Sequence, residues 1–218
     1  MTTRDKKSIA VTVSYIEKSY TITVDDVPIR ITKDVYLKIE HLGVAECLAD
    51  EWREQVEGGV IKPNPARMLL TRLVSQGLLM SEDEKSTIAT QLAEYYRFDA
   101  LTVIAENQPD LAEQQQAAFQ PVIAWFSGHP QVSPVEWLKN LDNLRFAIAE
   151  YLIRLYSSFM LGFAVLEGYI ETLEAHRLSC LEEEYQNQRW GIDEQRQLEI
   201  SSIKQDLSKL QKFIHNLE

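Results

Sequence analysis

The spacing of apolar residues changes once along this chain, near His41, and that change limits the folds open to it. Before it, apolar residues recur every second position: Ile9, Val11, Val13 and Tyr15, then Tyr20, Ile22 and Val24. Val27, Ile29 and Ile31 continue the alternation, and Val35, Leu37 and Ile39 close it. Period two with tight connections predicts four short strands in an antiparallel meander with one buried face. Asp25-Asp26 supply a turn, and Pro28 confines the third strand to an edge or a bulge.

After His41 the period is helical. Val44, Leu48, Trp52 and Val56 share one face of a predicted helix that Gly58-Gly59 end, and Trp52 reads as a structural core residue. A loop with Pro63 and Pro65 follows. Ser81 with Glu84, and Ser133 with Pro134 and Glu136, predict capping boxes, and Asp110 is the expected cap of the helix through Phe119, Ile123 and Trp125. Residues 98–106 fit either a short strand or a helical turn. Residues 144–170 are apolar on nearly all sides, as buried helices are. Ile200, Ile203, Leu207, Leu210, Ile214 and Leu217 form a seam for one neighbour. The expected architecture is α+β, mostly α: a two-layer N-terminal domain over 8–78 and a helical domain over 79–218.

A formal net charge of -11 opposes nucleic acid and anionic membrane surfaces and favours a basic or apolar partner. Cys47 and Cys180 have no metal or redox spacing and read as small apolar residues of a reducing compartment. The start MTTRDKKSIAV lacks the apolar core of a signal peptide, and the most apolar run, 155–166, is shorter than the roughly 20 residues of a bilayer span. There is no GxGxxG, no P-loop and no HExxH, and His41, His129, His176 and His215 adjoin no evident nucleophile or ligand set. The expectation is a protein without catalysis, cofactor or metal.

The stretch LEEEYQNQRWGIDEQRQLE, 181–199, has a geometry of its own. Glu182, Glu183 and Glu184 read as a solvated helix face. Gly191 suits the end of that helix because it tolerates positive φ, Asp193 suits the cap of the next, and Glu194 sits in its first turn. Trp190 is expected to pin the corner by packing. The surplus of acids over Arg189 and Arg196 invites a basic partner. Arg53, Arg67 and Arg72 read as solvated charges.

LEEEYQNQRWGIDE resembles the C-terminal signature of the Atp-twelve family of ATP synthase assembly chaperones. ADEWREQ at 49–55 resembles the family's helix ending in an acidic-Trp pair, and IKPNPARMLLTRL at 61–73 its proline-and-methionine loop. Residues 92–126 resemble its central block, with Phe119-Gln120 where the family has Trp-Asp before proline, and 157–175 its apolar helix. VDDVPIR lacks the glycine of the family's N-terminal hairpin. The resemblance runs over about residues 20–200.

It implies an α/β domain followed by an orthogonal helical bundle. It further implies binding of the unassembled α subunit of the catalytic head, without ATP, masking that subunit's interface until β subunits replace the chaperone. Client-binding residues by this resemblance are Glu194, Asp193, Trp190, Glu183 and Glu184, with Gly191 and Trp52 structural. The free protein is expected to be a monomer in a bacterial cytoplasm, or in the mitochondrial matrix if eukaryotic. The alternative is a structural protein that dimerises through the 200–217 seam.

Overall fold

A computed structural model describes residues 9–129 and 133–217. The chain is α+β and mostly α. It forms two compact units: one runs up to Leu79 and takes in the stretch from Lys209 onward, the other is Met80–Ser208.

The first unit begins with β1 (Val11–Ile16), β2 (Ser19–Val24) and β3 (Val27–Pro28), antiparallel in the order β1-β2-β3. Val13 faces Ile22 and Tyr15 faces Tyr20 in the register. Both connections are two-residue turns with positive φ at each central residue: Glu17-Lys18 and Asp25-Asp26. That handedness matches the twist of the flanking strands, and it is reached here without glycine. The expected fourth strand is instead two isolated bridges, Arg30 with Tyr36 and Tyr20 with Ile39. Leu37 and Ile39 still bury their side chains, so the alternation was read correctly and the ladder was not.

Ile22, Leu37, Val44 and Leu48 bury completely in this unit, the last two from α1 (Leu42–Arg53). This helix stops before the glycines. Gly58 and Gly59, at φ +61° and +80°, form the turn between β4 (Val56–Glu57) and β5 (Val60–Ile61), a correction to the helix-ending role expected of them. A short 3₁₀ turn, Pro65–Arg67, leads into α2 (Leu69–Leu79). Glu51, buried on α1, accepts hydrogen bonds from the Leu70 and Thr71 amides at 2.8 Å each and from the Thr71 hydroxyl at 2.6 Å, so it caps α2. The Trp52 indole donates to Thr71 Oγ1 at 3.1 Å and completes the network.

The second unit is helical: α3 (Glu82–Arg97), α4 (Pro109–Ser127), α5 (Pro134–Asn140), α6 (Asn143–Tyr156), α7 (Phe159–Leu166), α8 (Thr172–Ser179), α9 (Leu181–Trp190) and α10 (Glu194–His215), whose last turns belong to the first unit. Leu92, Leu138, Phe146, Ile153 and Phe159 form its core, with Trp125 and Trp137 packed against them. Gly162 lets α7 approach α6, since a Cβ there would lie 2.6 Å from Ile153 Cγ1.

Ser81 and Glu84 form the expected capping box. The box at Ser133 does not form, because its side chain makes no capping bond. Pro109, rather than Asp110, opens α4, and Asp110 lies in its first turn. Residues 100–102 make a 3₁₀ turn, which resolves the strand-or-turn alternative.

Candidate functional site

The α9–α10 corner is built from local rules. Cys180 ends α8 and begins α9, so Glu182, Glu183 and Glu184 stand in the first turn of α9, where unpaired amides favour negative charge. That is a positional reason for three consecutive acids which the solvated-face reading missed. Gly191 ends α9 with φ +81° and ψ 169°, a region open almost only to glycine, and its amide donates to Asn187 O at 2.9 Å. Asp193 Oδ1 accepts from the Arg196 amide at 3.0 Å, which is the expected cap of α10.

The acids of this stretch divide by what they do. Glu183 is half-buried and holds the Arg196 guanidinium with two bonds, 2.6 Å to Nε and 2.7 Å to Nη2. That fork ties α9 to α10 and holds the Glu183 carboxyl below its ordinary range. Arg196 also reaches Glu199 at 3.2 Å, and Arg189 reaches Asp110 at 3.5 Å. Both arginines of the stretch are therefore already engaged, Arg189 by an acid outside it, and the surplus of acids remains. Glu194 is exposed and has no hydrogen bond or ion pair among the described residues. Glu184 is half-buried and lies near enough to Arg177 to contribute to holding that guanidinium charged.

Trp190 does not pin the corner. It is 85% exposed, and no described aromatic ring packs on it. The glycine conformation and the Asp193 cap hold the turn without it, so the indole is left to solvent. Ile192 at 39% and Leu198 at 66% are also exposed, so the acids stand among apolar side chains that the chain does not cover. Sequence reading found Trp190 and did not single out Leu198.

Trp52 is half-buried and bonded to Thr71 as described, a structural placement. The later part of the 200–217 seam is turned inward: Leu207 and Leu210 are fully buried, and Ile214 and Leu217 are each 7% exposed, while Ile200 and Ile203 are half-buried. Arg53 is not merely solvated, since it pairs with Asp50 at 2.6 Å.

His176, buried on α8, lies 3.6 Å from Cys180 Sγ. A nucleophilic pair needs a depressed thiol pKa; here burial, the largest cause, pushes the Cys180 thiol up. Burial also pushes His176 down, with Lys204 next in effect. Among the described residues no group of three or more His, Cys, Asp or Glu is placed to hold a metal, and no helix is long and apolar enough to cross a membrane.

These features define a class: a mostly helical α+β chain whose candidate site is an exposed corner of carboxylates and apolar side chains. Residues 7–127, more than half of the chain, match the family described as ATP12 chaperone protein, and the chain belongs to that family. It is 24% identical over 194 residues to the mitochondrial protein atp12 of Schizosaccharomyces pombe, the match spanning 76% of this chain and 66% of that relative, just under two thirds of its length. The crystal structure of Atp12 from Paracoccus denitrificans superposes with a TM-score of 0.76 at 25% identity, covering 98% of both chains. A solved protein of Agrobacterium tumefaciens shares the fold, with a TM-score of 0.83 at 21% identity over 98% of this chain and 86% of that one.

Proposed function

We propose that this protein is an ATP-independent assembly chaperone that binds the unassembled α subunit of the ATP synthase catalytic head. It masks that subunit's interface and yields it to β subunits. The observation that carries the reading is the corner itself: Glu194, uncompensated, stands in a stretch with the exposed Trp190, Ile192 and Leu198. An unassembled subunit exposes an apolar interface that would self-associate, and a binder lowers the concentration of that free state. A mixed acidic and apolar patch suits a reversible complex, because charge pairs at a rim set partner choice while a few large side chains supply affinity. In this reading Glu194 and Trp190 contact the client, Glu184 borders them, and Glu183 and Asp193 act by shaping the corner. The free protein works as a monomer without a cofactor, in a bacterial cytoplasm or a mitochondrial matrix.

The test is co-purification of the tagged protein with separately expressed α and β subunits of the same organism. Capture of α alone supports the reading, and Glu194→Lys is then expected to abolish capture while the circular dichroism spectrum stays unchanged. Capture of neither subunit, with both soluble, would refute it. The dimer reading is the weaker, because Leu207, Leu210, Ile214 and Leu217 of the seam it needs are covered by the chain itself.

A further inference from the structure

In so acidic a protein most arginines should find a carboxylate, and in the second unit every described one does. Arg53 does so in the first unit as well. No carboxylate lies within ion-pair distance of Arg30, Arg67 or Arg72 among the described residues. Two of the three share one place, and the third neighbours it along the chain. Arg30 and Arg72 line a groove of about 330 Å³, and Arg67 belongs to the Pro65–Arg67 turn on its border. All three are exposed.

The rest of the lining is mostly apolar, with Thr71 and Ser75 its other polar side chains. Leu37, Trp52 and Met68 contribute to it from the core side, with Ile31 and Pro65 beside them, and no acidic residue among the described ones lines it. Its polar groups are largely engaged already. The Trp52 indole donates to Thr71, and Thr71 donates to Glu51, whose two oxygens also receive the Leu70 and Thr71 amides. Arg30 is held in place by neutral acceptors, Lys33 O and the Tyr36 hydroxyl, with its guanidinium 4.4 Å from the centre of the Tyr36 ring. Its orientation is therefore fixed while its charge is not compensated.

We propose that this groove is a docking site for a segment of a partner protein that carries a large apolar side chain flanked by carboxylates. The apolar lining rewards burial of one such side chain, and the volume is at the small end of the range of ligand pockets. The arginines select the charge beside it: a segment that the -11 net charge repels elsewhere meets opposite charge here. Its charge preference is opposite to that of the α9–α10 corner, so a partner using both would need a basic patch and an acidic segment.

The experiment titrates the full-length ¹⁵N-labelled chain with a synthetic twelve-residue peptide of leucine and phenylalanine anchors flanked by glutamates. A counterpart with lysine at every glutamate is the control. The Trp52 indole resonance is the reporter, because its N–H is held by Thr71 beside the groove. The acidic peptide is expected to shift Trp52, Met68 and Arg72 saturably, and added salt to weaken it. Arg30→Glu with Arg72→Glu should weaken binding about 10-fold or more through charge reversal at the rim. Arg67→Glu with Arg72→Glu leaves the bonds of Arg30 intact and should act in the same direction, so that a distorted Arg30 loop cannot account for the loss. Equal response to both peptides, response to neither, or a shift of the same resonances on concentrating the protein alone would each overturn the proposal; the last would assign the groove to a second copy. Because the probe is synthetic, the result is independent of whether α subunits are captured.

Discussion

Asp99 and Glu194 both stand near the beginning of a helix in the second unit, and their circumstances are opposite. Asp99 is fully buried and accepts from the Ser158 hydroxyl at 2.6 Å, the Met160 amide at 2.9 Å and the Leu101 amide at 3.1 Å. Burial, the largest influence, raises its pKa, and those bonds oppose the rise. The Glu194 side chain is exposed and makes no hydrogen bond or ion pair among the described residues. The same chemical group is thus fastened inside the molecule in one place and left available in the other. An acid at a helix start becomes a candidate contact only when the fold has not already used it.

The largest effect expected from this comparison is at Asp99. Asp99→Ala leaves two amides and a hydroxyl buried without their acceptor and should cost about 3 kcal/mol or more. Urea denaturation measures it; a loss below about 1 kcal/mol would mean that other groups satisfy those donors.

Gly191→Ala comes next. Among the described residues nothing within 4 Å obstructs an added Cβ, so the cost is conformational, about 1–2 kcal/mol. A neutral result would show that the corner relaxes to negative φ, and the client contact should then weaken instead.

Glu183→Gln removes the charge from a fork whose partners are about a third exposed, and should cost only about 0.5 kcal/mol. Its sharper readout is hydrogen exchange at the start of α10, which should speed up while the α6 core remains protected.

The smallest effect is on pH dependence. The fold prefers neutral His176, so the stability this residue contributes is complete above the unfolded value near 6.5 and is lost as the pH falls below it. Glu183 contributes above its unfolded value near 4.5 and loses that contribution on further acidification. Asp99 and Glu51, raised mainly by burial, act in the opposite sense and favour the fold as the pH falls. Melting curves of wild type and His176→Gln between pH 7.5 and 5.5 should isolate the first of these, with the variant showing the shallower decline. Parallel curves would remove His176 from the account.

Most elements were legible because their signals are local. Alternation marked β1 and β2, the Ser81 box marked the start of α3, and Gly191 with Asp193 marked the corner. Each is a relation between residues a few positions apart. The misreadings had the same origin. Gly58-Gly59 permit a helix end or a hairpin equally well, and only the pairing of Val56 with Ile61 decides between them. Trp190 could pack or project, and that depends on whether anything in the fold comes to cover it.

What the sequence determined by itself was the order of elements, the mostly helical class and the acidic corner, because period, capping and charge are properties of short windows. Tertiary structure alone decided which polar groups are already engaged. It joined Asp99 to Ser158 across 59 positions and Glu51 to Thr71 across 20, and among the described residues it left Arg30, Arg67 and Arg72 without a carboxylate at ion-pair distance. The physical reason is that a charge or hydrogen-bonding group is satisfied by whatever lies within about 3 Å, and over such separations proximity is set by packing rather than by position in the chain.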